Sequence, residues 1–414
     1  MRKILLATTA LVAFAGAAQA AESPITVNVG GYVDFRAALF HESDASANQA
    51  GYAKRDGGDF ETEYRVNIAA EGKAAHGIEY GAMISLWNGS DYTNNFNTAT
   101  TSSDNGRGTS VHEDQAYVWM SGAWGKVLFG DTHGASDLFV YAPTVGEGQF
   151  DGTYTDFTDP TTLTPFMASY VDNTENSTKI AYYTPKVGNA DHKVQLGVSY
   201  APNMYDQGTN VVKYEYLAST VNASQVSAYK DSTKLDAQYT GNFNPVSVVF
   251  SAKTDMARKN DSDSFDTLHG TDESLRDYAT WGLGTQATYA GFTAGGSYVD
   301  GGHAYTIVGQ NKQQDTWTAG LKYEFDKVAL AANYLSGVGY NNGFAASTGT
   351  VGSNTLNYVR DFNAYGLGAT YTWFPGLTTA ADAVMFDQKR DDVSPTMAAH
   401  DDGYVLMLSQ KMTF

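Results

Sequence analysis

The 414-residue chain contains no cysteine, so disulfides and thiolate metal sites are excluded. Basic residues are scarce, with 26 Lys and Arg against 45 Asp and Glu. That balance argues against nucleic-acid binding, which needs a basic footprint. Proline is rare, at 9 residues. After residue 20 no apolar run approaches the roughly eighteen residues that mark a membrane-spanning helix. The 8 histidines show no metal-ligand spacing such as H-x-x-x-H. What is plentiful is glycine (42), tyrosine (28) and phenylalanine (20), a mixture suited to strands and turns and not to disorder.

The one strongly apolar segment opens the chain. Arg2 and Lys3 form a basic start, Ile4 to Ala18 an apolar run, and Ala18-Gln19-Ala20 a small-x-small cleavage site. These are the three regions of a secretory signal peptide. We predict a signal peptide over residues 1–20 and a mature single-domain chain over 21–414, with a net charge of −21 once Arg2 and Lys3 are gone.

Beyond the leader, apolar and polar residues alternate with the period of a strand. In residues 26–40, Val27, Val29, Val33, Phe35, Ala37 and Leu39 share one face, while Asn28, Tyr32, Asp34 and Arg36 share the other. In 60–71, Phe60, Tyr64, Val66 and Ile68 oppose Glu61, Glu63, Arg65 and Asn67. The pattern recurs at 78–87, 113–121, 125–131, 177–185, 192–201, 233–243, 246–255, 278–289, 292–299, 315–326, 328–336, 360–373 and 377–388. It ends at 402–414, where Tyr404, Leu406, Leu408, Met412 and Phe414 share a parity broken only by Gln410. The segment VVKYEYL, 211–217, is a loop hairpin or a displaced eighth strand.

These sixteen segments are joined by seven tight turns alternating with eight long connections. Short turns on one side and long loops on the other, on an exported chain, imply an all-β, sixteen-stranded antiparallel transmembrane barrel in the bacterial outer membrane. A sheet in lipid must close, because no water satisfies an open edge. Trp87, Tyr92, Trp281, Tyr289, Trp317, Phe325, Tyr371, Trp373 and Phe374 fit interfacial girdles. Sixteen strands leave an aqueous lumen, which implies passage of small hydrophilic solutes and ions.

DQAYVWMSGAWGKVLFGD, 114–131, resembles the fourth and fifth strands of general bacterial porins, and GDTHGASDLF, 130–139, the alphaproteobacterial branch of that family. YRVNIAAEG, 64–72, and NSTKIAYYTP, 176–185, resemble its second and sixth strands. The resemblance implies a homotrimer of barrels, each with its own pore. It also implies that the third long loop folds into the lumen, setting carboxylates opposite basic wall residues.

The third loop, 132–176, is the longest, and between Lys126 and Lys179 there is no Lys or Arg. Composition alone allows an external acidic loop as readily as one folded inward; the resemblance implies the latter. On that basis Glu147, Asp151 and Asp156 are the candidate constriction carboxylates. Arg65 falls where the resembling strand carries a pore arginine. Arg36 and Lys179 have inward parity, although a rim position suits each equally. Asp114 stands where the family has an arginine, and competing parities around Tyr117 and Trp119 leave its side open. If it faces inward, the constriction is more acidic than the family pattern and prefers cations weakly.

No cofactor is expected. Asp261, Asp263, Asp266, Asp272 and Glu273 in the fifth loop lack EF-hand spacing, but could bind a divalent cation such as calcium loosely, as in contacts with lipopolysaccharide. A substrate-specific nutrient channel, an adhesive barrel and a barrel hydrolase are the rival functions. A hydrolase needs a nucleophile beside a positioned histidine; His76, His112, His133 and His303 lie near strand or loop ends, but no nucleophile motif accompanies them. We expect no enzymatic activity. The protein recovered from outer membranes should begin at Ala21 by N-terminal sequencing; an intact Met1 start would refute the assigned leader.

Overall fold

The structure, a computed structural model, describes residues 24–43, 56–88, 111–146, 152–158, 176–203, 229–259, 276–304, 314–342, 357–390 and 400–414. The leader, VVKYEYL, the fifth-loop acids and Tyr92 lie outside these residues, as do Glu147 and Asp151.

Among the described residues, sixteen antiparallel strands form one closed sheet. They are β1 (Thr26–Glu42), β2 (Asp56–Lys73), β3 (Glu79–Trp87), β4 (His112–Gly122), β5 (Gly125–Asp131), β6 (Thr178–Tyr183 continued by Val187–Gly188), β7 (His192–Asn203) and β8 (Tyr229–Phe243). There follow β9 (Val246–Lys259), β10 (Tyr278–Tyr289), β11 (Phe292–Gly302), β12 (Gln314–Phe325), β13 (Val328–Asn342), β14 (Asn357–Phe374), β15 (Leu377–Arg390) and β16 (His400–Thr413). Each expected segment is a strand, and each strand pairs with its neighbour in sequence. The sixth is broken because Pro185 has no N–H to give the ladder. Thr184 bridges the gap, its N–H donating to the Leu196 carbonyl at 2.9 Å and its hydroxyl accepting from the Leu196 N–H at 3.0 Å.

Closure is made by β1, which pairs with β2 on one side and with β16 on the other. The β1–β16 register runs from Tyr32 opposite Thr413 to Glu42 opposite Gly403. Beyond it the Gly31 and Phe414 amides exchange two hydrogen bonds, both 3.0 Å, so Phe414 extends the ladder. Gly31 is required there: its φ is +152°, and a Cβ would lie 2.0 Å from the Arg65 carbonyl oxygen. The turns opposite the long loops are short. Ala290-Gly291 joins β10 to β11 with both residues at positive φ (48° and 85°), as a type I′ hairpin turn demands.

Alternation sorts the two faces. On β1, Val29 is 62% and Leu39 61% exposed, whereas Asp34 and Arg36 are 0% and 1% exposed. The exposed apolar set is the lipid face. Aromatic rings band it at two heights. Trp281, Tyr298 and Trp317 touch in a row, with centroids 5.4 and 4.3 Å apart. Phe292, Tyr323 and Phe325 form another, at 4.1 and 5.2 Å. Trp317 and Phe325 lie on the same strand, about 27 Å apart at ~3.4 Å per residue. With a strand tilt near 40° this gives an apolar band of about 20 Å, close to the ~25 Å of outer-membrane barrels. Among the expected girdle residues that are described, Trp87 is the exception: it faces inward, under the Arg65 guanidinium at 4.9 Å.

Deleting Phe414 removes two closing hydrogen bonds, together worth about 1–3 kcal/mol. The barrel refolded in detergent should then lose its compact electrophoretic form at a lower temperature; an unchanged midpoint would place closure elsewhere.

Candidate functional site: the acidic wall and the inward loop

The inner face of β1 and β2 carries a buried ion cluster. Arg36 Nε meets Asp34 Oδ2 at 2.9 Å, and its Nη1 meets Glu61 Oε1 and Glu63 Oε2, both at 2.9 Å. Strand pairing builds this arrangement, since Arg36 lies opposite Glu61 and Asp34 opposite Glu63. Tyr32 donates its hydroxyl to Glu63, and Ser409 Oγ donates to Asp34 Oδ1 at 2.7 Å. Three carboxylates thus surround one guanidinium. They fix it and satisfy it, and they leave the cluster net negative. A buried cation needs such partners, because its desolvation otherwise costs several kcal/mol.

Further round, Arg65 is 26% exposed at its side chain and reaches Asp114 Oδ2 with Nη1 at 3.3 Å. Asp114 also accepts from Ser85 Oγ at 3.3 Å and from Asn176 Nδ2 at 3.2 Å. A β-bulge settles the side on which Asp114 lies. Ser85 pairs with Gln115 and Leu86 with Glu113, so Asp114 is the extra residue. The bulge turns Asp114 inward out of phase with its strand. Val118 and Met120 face outward, at 54% and 45% exposed, while Tyr117 and Trp119 pack inward with Leu128, Leu138, Ala181 and Tyr183.

The third loop leaves β5 and folds into the lumen. Its first turn, Gly134–Leu138, lies against the inner faces of β6 to β8: Ala135 N–H donates to Ser199 Oγ at 3.3 Å, and Gln238 Nε2 donates to the Leu138 carbonyl at 2.7 Å. Further along, Val140 N–H donates to Ser251 Oγ at 2.9 Å on β9, Gln286 Nε2 to the Tyr141 carbonyl at 2.8 Å on β10, and Ala142 N–H to Thr318 Oγ1 at 3.2 Å on β12. A second turn, Thr153–Phe157, inserts Tyr154 and Phe157, both 0% exposed, among Ala38, Leu335, Phe362, Val384, Phe386, Val405 and Met407. Two such rings remove about 300–500 Å² from water, roughly 8–12 kcal/mol at ~25 cal/mol/Å². Ordering five residues costs about 5–10 kcal/mol, so the aromatic pair suffices to hold the turn against the wall.

Asp156 sits between these two anchors and interacts electrostatically with Glu61 of the Arg36 cluster. Of the sequence candidates, the structure therefore brings Asp156 toward Glu61, a partner of Arg36, and pairs Arg65 with Asp114. Lys179 lies apart, 3% exposed beneath the loop, with Nζ 3.4 Å from the His133 carbonyl. The sequence expectations did not single out Asp34, Glu61 or Glu63 as site residues, although all three have inward parity. Lys253 was also missed; it is 4% exposed, with Nζ 4.9 Å over the Phe139 ring.

A closed sixteen-stranded barrel with an inward third loop defines a membrane channel. The chain belongs to the Gram-negative porin family, whose sequence model matches residues 7–391, and is accordingly an outer-membrane protein. No curated protein sequence matches it. Among solved structures, an anion-selective porin from Comamonas acidovorans is 12% identical, with a TM-score of 0.55, over 94% of this chain and 100% of its own. The trimer form of OmpT, an outer-membrane protein of Vibrio cholerae, is 11% identical with a TM-score of 0.54, over 95% and 100%. At such identities the likeness concerns the fold.

Replacing Arg36 with Met strands three carboxylates and should cost about 3–5 kcal/mol. The same change at the part-exposed Arg65 should cost less, read as a smaller fall in thermal midpoint; equal losses would mean that the Arg36 cluster is not the buried keystone described.

Proposed function

We propose that this protein is a general-diffusion pore for small hydrophilic solutes and ions, with a weak preference for cations, and that it is not an enzyme. The supporting observation is the charge lining the inner wall. Among the described residues around this cluster, Arg36, Arg65 and Lys411 are set against Asp34, Glu61, Glu63, Asp114 and Asp156, three cations against five carboxylates. Lys179 and Lys253 lie packed against the third loop, and Lys234, Asp236 and Asp255 are buried on the same wall, so these groups offer little net charge to a passing ion. Carboxylates grouped between low-dielectric walls raise the local cation concentration.

A sugar-specific channel would present free aromatic faces along the lumen. The two aromatics picked out by inward parity have their faces engaged: Lys411 Nζ stands 4.2 Å over Tyr32, and Arg65 stands over Trp87. A barrel hydrolase has no nucleophile motif to recommend it. The relatives' trimer form, together with the porin resemblance, supports a homotrimer here, seated in outer-membrane lipid and lipopolysaccharide. Transport of this kind needs no cofactor, and any calcium would be a loose ligand of the acidic loops. The leader over residues 1–20 is the proposed export signal.

In planar bilayers under a salt gradient, the reversal potential should have the sign of cation preference and shrink at high salt, where screening shortens to a few ångströms. Asp156→Asn should lower the cation-to-anion permeability ratio. Anion preference in the unaltered protein would overturn the charge assignment.

A further inference from the structure

Strand register sets four small residues in a row across the inner wall: Ser251 on β9 lies opposite Gly284 on β10, Gly284 opposite Ser297 on β11, and Ser297 opposite Thr318 on β12. The third loop lies along this row. Val140 N–H bonds to Ser251, Ala142 N–H bonds to Thr318, and the Ser297 and Thr318 hydroxyls bond to each other at 2.6 Å. Between these anchors the Val140 carbonyl comes down on Gly284. A Cβ there would lie 1.9 Å from the carbonyl oxygen, far inside contact distance, and the obstacle is backbone that cannot rotate away. Neighbouring glycines repeat the fit: a Cβ at Gly282 would lie 3.0 Å from the Phe139 ring, and one at Gly320 2.9 Å from the Pro143 carbonyl oxygen.

We propose that this row is a seat that fixes how far the third loop stands off the wall, and so sets the bore of the pore, with Gly284 as its positioning residue. The proposal rests on the channel function put forward above, which supplies the path being narrowed. At Gly284 even a methyl must lift the loop toward the lumen, because the wall behind it is a hydrogen-bonded sheet. The hydroxyls on either side are the complementary half of the seat: they accept the loop's N–H groups, which would otherwise be buried unpaired at a cost of about 1–3 kcal/mol each.

The test compares Gly284→Ala with Gly57→Ala, an inner-wall glycine where a Cβ would meet only the Phe40 ring, at 3.8 Å. The chain has no cysteine, so Val299→Cys, at a fully buried β11 position beside Gly282, gives a single thiol reporter in each background. The seat predicts that Gly284→Ala speeds labelling of that thiol by a water-soluble methanethiosulfonate at least about fivefold, as lifted segments open more often. It also predicts lower single-channel conductance, with Gly57→Ala unchanged in both. Should Gly284→Ala fail to fold, the double variant Ser251→Ala, Thr318→Ala removes the anchors without adding bulk and should speed labelling likewise. Labelling rates equal to the parent in a folded variant would overturn the seat. Because labelling needs no conduction, that result is distinct from a parent protein that conducts nothing, which would instead overturn the channel function.

Discussion

Backbone hydrogen bonds between β1 and β16 leave no strand edge facing lipid, and every inward-pointing group depends on that closure. Hydrocarbon offers no partner to an open N–H or carbonyl, so the ladder must run to its last residue. Here it does, ending in the reciprocal bonds of Gly31 and Phe414. Closure fixes register, and with a side-chain period of two, register fixes faces: a slip of β1 by one residue would put Asp34 and Arg36 into lipid. The ion cluster is thus a product of strand pairing, with Arg36, Glu61 and Ser409 meeting because three neighbouring strands hold them level.

The third loop uses two kinds of attachment. Over β7 to β12 it lies close to the wall, held by hydroxyl and amide side chains that bond its backbone. Over β13 to β16 and β1 it turns apolar side chains onto an apolar inner wall, where Tyr154 and Phe157 are fully buried. The second attachment delivers Asp156 to the Arg36 cluster. The first covers Lys179 and Lys253.

Strand positions were legible because the period-two alternation is strong on the lipid face, where Val27 to Leu39 and Tyr404 to Phe414 can be read without their partners. The inner face was harder. Asp114 could not be placed, since a bulge reverses parity and depends on the pairing of Ser85 and Leu86 across the sheet. The apolar wall patch was hidden for a related reason. Phe362, Phe386, Val405 and Met407 face a lumen expected to be polar, and they make sense only once Tyr154 and Phe157 cover them. Arg36 was legible as inward, but not as enclosed by carboxylates, because Glu61 and Glu63 reach it from another strand. Lys179 likewise had inward parity, while its cover by the loop is a tertiary fact.

The claim on which the rest turns is that the third loop lies across the conducting path. Thr155, part-buried between Tyr154 and Asp156, gives direct access to it. A Thr155→Cys channel in a planar bilayer should lose current in discrete steps as a bulky anionic thiol reagent attaches, while the cysteine-free parent is unaffected. A Thr155→Cys channel that is fully labelled, as judged by mass, yet conducts as before would contradict the account.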